Sequence, residues 1–277
     1  MSLKVHVQKI WPAPERDTFL GPSMKVIYDA QIALMRSILG PEAEIRVQYN
    51  DRSSYCTNCF SMEAYNVVGM LEGLADAEAA GCDVAMIACG NDPALQAARD
   101  ALTIPVVSLT ESAMLVACTL GRRFGLITMD TPSIVLVERC LESYRLEHRA
   151  ISHRPVRSPG FYEETTRWFS DPQYLRSNVI PRFEEVARGM IEDGAEVIIA
   201  ACGNYAAFPI HGYSRISGAD VPVIEGFVAA THMAAMLGRM RRSFGLSTSK
   251  HSSYKGPPTE YAARLLAPFR SAARAEG

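Results

Sequence analysis

Short apolar runs alternate along the chain with longer segments of helical period. Residues 3–10, 45–49, 84–88, 106–109, 124–128, 197–201, 221–224 and 244–247 read as strands. Several are almost continuously apolar, the pattern of strands covered on both faces. Residues 23–39, 62–80, 132–144 and 172–193 read as helices between them. Asp92 before Pro93, and Asp171 before Pro172, each have the form of an N-cap followed by proline at the first helical position. Strands alternating with helices predict an α/β fold with parallel sheets.

The pattern also repeats. Residues 81–91, ending Ala88-Cys89-Gly90-Asn91, return as residues 194–204, ending Ala201-Cys202-Gly203-Asn204. Each copy is followed by a second block, Ile104-Pro105-Val106-Val107 or Val221-Pro222-Val223-Ile224. An Ala/Met-rich helix and a basic Phe-Gly-Leu segment come next, at 122–126 and 241–246. The order is kept and the spacing drifts by only a few residues, so the chain reads as two related α/β halves. Ligands of open α/β sheets bind beyond the carboxyl ends of strands. Cys89 and Cys202 stand at that end of equivalent strands, and two such halves facing each other would bring the thiols to opposite sides of one cleft.

That placement suggests a chemistry. Inverting a carbon stereocentre by proton transfer needs a base on one face and an acid on the other; a thiolate and a thiol supply both. Helix N-termini and nearby cations lower a cysteine pKa from about 8.5. Backbone N–H groups around Gly90, Asn91, Gly203 and Asn204 would cradle a developing oxyanion, at about 3–4 kcal/mol per donor. The glycines allow close approach of backbone to ligand, and the asparagines supply side-chain amides or turns. Such chemistry needs neither metal nor organic cofactor, and the expectation is that the protein uses none. The six histidines show no metal spacing, and neither G-x-G-x-x-G after the first strand nor a P-loop is present.

The segments Ala88-Cys89-Gly90-Asn91-Asp92-Pro93-Ala94-Leu95-Gln96-Ala97-Ala98-Arg99 and Ile104-Pro105-Val106-Val107-Ser108-Leu109-Thr110-Glu111-Ser112-Ala113 resemble the aspartate/glutamate/hydantoin racemase superfamily, most nearly its hydantoin racemase branch. The resemblance runs over 83–128 and 194–238. It implies two pseudo-symmetric parallel-sheet α/β domains facing each other across a central cleft. It implies that residues 1–110 are completed by 226–277, with 111–225 as the other domain. It implies that Cys89 and Cys202 are the acid/base pair, working without a cofactor on a small carbon acid (a hydantoin, an amino acid or a related carboxylate). A homo-oligomer is implied as well. The chain departs from the pattern at Lys9-Ile10-Trp11-Pro12-Ala13-Pro14-Glu15-Arg16, where an Asn-Pro-Asn-Thr-like loop is usual, and at Tyr205 after the second motif. Trp11 and Pro12 thereby become candidate substrate contacts. Related branches isomerise maleate or decarboxylate malonates with one thiol, and that alternative stays open. A ligand-binding protein without catalysis is the third.

Other features are explained by structure alone. Cys82, Cys118 and Cys140 read as core residues, and Cys56-Thr57-Asn58-Cys59 as chance spacing in a loop that follows the second strand. Glu111 and Glu225 read as charges at helix starts, and His211 as a loop residue. Lys9, Arg16 and Arg52 lie in loops after early strands, where they could meet a carboxylate.

Composition narrows the setting. With 28 basic and 30 acidic residues and a formal charge of −2, no electrostatic footprint for nucleic acid or an anionic membrane exists. Apolar residues make up 48% of the 277, ample for a core, yet no run of about 18 of them suggests a membrane span. The first residues, MSLKVHVQKIWP, lack an apolar signal-peptide core. Seven cysteines without a repeating pattern argue against a disulfide framework. The expectation is a cytoplasmic protein.

Overall fold

A computed structural model of the chain describes residues 2–16, 20–50, 52–53, 57–161 and 164–256. It contains two four-stranded parallel sheets of identical topology. In the first the order is β2-β1-β3-β4, formed by β1 (Lys4–Gln8), β2 (Glu44–Gln48), β3 (Val84–Ile87) and β4 (Val106–Ser108). In the second the order is β6-β5-β7-β8, formed by β5 (Phe124–Ile127), β6 (Val156–Arg157), β7 (Val197–Ala200) and β8 (Val223–Glu225). Every strand pair is parallel. β3 and β7, which carry the repeated motif, are interior strands and wholly buried, as their continuous apolar sequence requires.

The helices of the first half are α1 (Gly21–Leu39), α2 (Phe60–Ala79) and α3 (Leu95–Ala101), with α4 (Leu109–Leu120) leading out of it. In the second half they are α5 (Pro132–Ser143), α6 (Thr165–Ser170), α7 (Pro172–Tyr174), α8 (Ile180–Glu192), α9 (Ala207–Ile210) and α10 (Gly226–Phe244). The two helices that come after the repeated blocks exchange sides. α4 packs on β7 and β8, whereas α10 returns to cover β1, β3 and β4, and the two helices pack on each other. Gly238 makes the return possible: a Cβ there would lie 2.8 Å from Leu3 Cδ1 and 3.0 Å from Val84 Cγ1.

Seven of the eight expected strands are present. Residues 244–247 are not a strand. α10 runs through Phe244, which is 83% exposed, and stops at Gly245 in the left-handed region (φ 70°), a helix C-cap conformation natural to glycine. The equivalent segment of the first half enters a new sheet as β5; among the described residues no further strand follows α10. The chain instead runs back along the first half, where Thr248 N–H donates to the Thr103 carbonyl at 2.9 Å. The helix expected over 172–193 is real but interrupted by a π-helical turn, Leu175–Val179. Pro181 explains the break, since it has no N–H to donate to the preceding turn. Asp171 caps α7 as expected, accepting from Tyr174 N–H at 3.0 Å.

Candidate functional site

Both cysteines lie immediately beyond the carboxyl ends of their strands, and the two motifs touch. A Cβ on Gly90 would sit 2.5 Å from the Ala201 carbonyl oxygen and 2.9 Å from Cys202 Cα. The glycine after Cys89 therefore serves the approach of one motif to the other. Cys202 is near enough to oppose the ionisation of Cys89. The backbone after each cysteine differs. Cys202 has extended backbone and stands at the N-cap of the 3₁₀ turn Gly203–Ala206; its side chain makes no capping hydrogen bond there, but the Gly203 and Asn204 N–H groups favour its thiolate. At Cys89 it is the Asn91 N–H that favours the thiolate.

The expectation that Asp92 caps its own helix is wrong. Asp92 has φ 47° and Ala94 φ 64°, and α3 begins only at Leu95. The buried Asp92 carboxylate reaches across to the start of α4. It accepts from Thr110 N–H (2.9 Å), Glu111 N–H (2.7 Å), the Ser108 hydroxyl (2.5 Å) and the Tyr144 hydroxyl (2.8 Å). Four donors outweigh a cap in place, and the Cys89 loop is tied to β4, α4 and α5 as a result. Thr110 Oγ1 adds a bond to the Gly90 carbonyl at 2.5 Å.

Asn91 is buried, and its side-chain amide donates to the Thr57 carbonyl at 2.8 Å. The loop after β2 thus lies against the Cys89 motif. From that loop Asn58 donates to Asp130 of the second half at 2.7 Å, and Glu63 of α2 pairs with Arg139 of α5. Cys56 lies outside the described residues. Trp11 is half-buried and Pro12 buried, at the end of β1. Asn204 remains partly exposed. His211 hydrogen-bonds with the Phe169 carbonyl at 3.2 Å, held against α6. Arg16 is exposed and Arg52 faces Glu72 at 3.6 Å. Glu225 caps α10, accepting from Phe227 and Val228 N–H at 2.9 Å each, and Glu111 pairs with Arg99. Cys82 and Cys140 are buried as expected, whereas Cys118 is partly exposed.

Lys9 departs furthest from its sequence reading. It is 1% exposed, and its ammonium donates to Gln31 Oε1 at 2.6 Å. The ring centroids of Tyr28 and Phe227 are 4.5 and 5.3 Å away. Gln31 Nε2 in turn donates to the Gly203 carbonyl at 2.8 Å. Gln31 was legible in principle: it interrupts the buried stripe Met24, Ile27, Tyr28, Met35 of α1 at helical spacing. A polar residue on such a stripe needs a buried partner.

The Asp/Glu/Hydantoin racemase family model matches residues 26–234. The chain belongs to that family. It is 34% identical to a hydantoin racemase of Rhizobium meliloti over 203 residues, covering 73% of this chain and 77% of the relative. It is 30% identical to a hydantoin racemase of Pseudomonas sp. strain NS671 over 229 residues, covering 83% and 81%. The fold is that of an allantoin racemase from Klebsiella pneumoniae, with TM-score 0.74 at 23% identity over 97% of this chain and 99% of that one. An arylmalonate decarboxylase mutant shares it more distantly, with TM-score 0.55 at 14% identity over 86% and 93%. As a family member the chain is an isomerase of the racemase type.

In this racemase the electrostatics of the pair are set mainly by burial. Desolvation pushes the Cys202 thiol up to about 12, opposed by the Asn204 and Gly203 N–H groups and reinforced by Asp130 and Glu225. It pushes Cys89 further in the same direction, against the Asn91 N–H and with Cys202, Asp92 and Glu63. Burial also raises Glu225 to about 8 and lowers Lys9 to about 7. Among the described residues no group of three or more His, Cys, Asp or Glu side chains is placed to hold a metal ion. No described helix is long and apolar enough to cross a membrane.

Proposed function

We propose that this protein racemises or epimerises a small cyclic or open-chain carbon acid of the hydantoin or allantoin type by two-base proton transfer. Cys89 and Cys202 are the bases. The observation that carries the reading is the contact of the two motifs, with Gly90 pressed on the Ala201–Cys202 backbone, which brings the equivalent segments of the two halves together. One thiolate removes the α-proton while the opposite thiol delivers its own proton to the other face. For the opposite enantiomer the roles exchange. The N–H groups at Asn91 and Asn204 are assigned to the substrate oxygen that gains charge as the proton leaves. Asn91, Asn204, Gly90 and Gly203 frame the carbon acid, and Trp11 and Pro12 close the side where the chain departs from its relatives. The buried environment suits a substrate that enters with little net charge, since desolvation of an ion would add to the barrier.

Desolvated thiols are poor acids, and the same low dielectric makes each N–H group aimed at sulfur or oxygen stronger. This chemistry uses no metal or organic cofactor. The enzyme is assigned to the cytoplasm as a homo-oligomer, in keeping with exposed apolar side chains at Leu115, Leu120, Met236 and Met240 on the mutually packed helices α4 and α10; sedimentation that finds only monomer at micromolar concentration would refute that assembly.

Replacing either thiol tests the mechanism. Cys89→Ala and Cys202→Ala should each lower kcat for racemisation by about 10²–10⁴-fold, the usual share of a positioned acid or base, with circular dichroism unchanged. Near-full activity in one of the two would favour the single-thiol chemistry of the decarboxylase and isomerase branches.

A further inference from the structure

A buried lysine without a carboxylate partner is costly, and the surroundings of Lys9 suggest why it is there. Lys9 lies at the end of β1, enclosed by α1 through Tyr28 and Gln31 and by α10 through Phe227. Burial alone accounts for its altered titration, with no carboxylate contributing. Tyr28 is the titratable side chain that its contacts place against it. The ammonium heads a line of amide groups. Lys9 Nζ donates to Gln31 Oε1, Gln31 Nε2 donates to the Gly203 carbonyl, and the N–H of that same peptide group is the Asn204 N–H that bears on the Cys202 sulfur. Both side chains in the line are more than nine-tenths buried.

Hydrogen-bonded amides polarise one another, and the effect grows in a low-dielectric interior. A cation at the head of such a line makes the terminal N–H a stronger donor. We propose that Lys9 is a positioning residue for Cys202, acting through the Gln31 amide and the Gly203–Asn204 peptide group to stabilise the Cys202 thiolate. The influence is reciprocal, because a thiolate at Cys202 strengthens the hold of Lys9 on its proton. Asp130 and Glu225 oppose it from the other sides of Cys202. The described structure gives Cys89 no such line: the Asn91 N–H that bears on it belongs to the peptide whose Gly90 carbonyl accepts from the Thr110 hydroxyl, a neutral donor. The two thiols are therefore inequivalent: Cys202 is the one that ionises first, and Cys89 is the one that keeps its proton in the resting enzyme.

The proposal rests on Cys202 being one of the two bases, but its test does not read turnover. Iodoacetamide alkylation of each cysteine, followed against pH by peptide mass spectrometry, reports the two thiolates separately. In Lys9→Met the alkylation rate of Cys202 below pH 7, where Lys9 carries its charge, should fall about tenfold, a one-unit rise in the pKa that sets the thiolate fraction there, and should rejoin that of the unaltered protein above about pH 9, while the rate for Cys89 stays unchanged throughout. Gln31→Met breaks the line with Lys9 intact and should do the same. The double variant should go no further than the larger single effect. An unchanged Cys202 alkylation rate below pH 7 in folded Lys9→Met, or equal falls at both cysteines, would overturn the relay. Should the variants not fold, the unaltered protein gives the answer by NMR. The Asn204 amide signal should step as Lys9 titrates near pH 7 and the Asn91 signal should not; no step at Asn204 contradicts the proposal. A normal relay in a protein that racemises nothing would refute the function and leave the relay standing.

Discussion

At the scale of single residues, the site depends on positions where a side chain has no room. Gly90 is the sharpest. Any Cβ there meets the Ala201 carbonyl and Cys202 Cα, both backbone, so nothing flexible can yield. Gly90→Ala should separate the halves by some tenths of an ångström. We expect a loss of stability of about 1–3 kcal/mol in urea unfolding, as for other overpacked sites, and a much larger relative loss of kcat/KM. A variant with unchanged kcat/KM would show that the motifs need not touch. Asp92 makes the complementary point. From the sequence it is a plain helix cap, and its real partners, Ser108, Thr110, Glu111 and Tyr144, lie 16 to 52 residues away. No local pattern announces them. Lys9 was legible as a charge near the site but not as a buried one, because burial comes from α1 and α10, elements remote in sequence.

Elements were more legible than their partners. β3 and β7 are continuous apolar runs, and the repeat alone marks them as equivalent; they duly hold equal positions in the two sheets. β6, only Val156–Arg157, has too few residues for a period to show. The segment after α10 differs for the opposite reason: repetition suggests a strand where the described residues form no sheet for it to join. α10 itself depends on its first turn. Glu225 satisfies two of the N–H groups that a helix start leaves open. Glu225→Ala should cost about 1–2 kcal/mol in urea unfolding. A change below about 0.5 kcal/mol, the noise of a surface substitution, would show that α10 is held by its packing on β1 and β3 alone.

For the whole molecule, the pH response comes from desolvation of two thiols that remain partly exposed where the halves meet. Desolvation raises both thiols, Cys202 to about 12, so the thiolate that must take the substrate proton is scarce in the free enzyme at neutrality. Raising the pH increases the fraction of enzyme with one thiolate and one thiol. kcat/KM, which reports the free enzyme, should therefore climb through about pH 8 to 9 without a neutral plateau. A plateau below about pH 7.5 would mean that the cleft stabilises thiolate far better than its burial allows. The sign for stability is the reverse. The unfolded thiols ionise near 9 while the native ones do not, so native stability is fully present below pH 9 and is lost as the pH rises toward 12.

The central claim is that two thiols act from opposite faces of one carbon, and isotope exchange tests it most directly. A single enantiomer of a 5-substituted hydantoin or of allantoin is converted in D₂O and sampled within the first few per cent of reaction. With two bases the proton leaves to one thiol and a deuteron arrives from the other. The product enantiomer should then carry deuterium at the α-carbon while the remaining substrate carries almost none. Equal labelling of substrate and product from the first sample would mean that one base serves both faces, and the assignment of Cys89 and Cys202 as an opposed pair would fail.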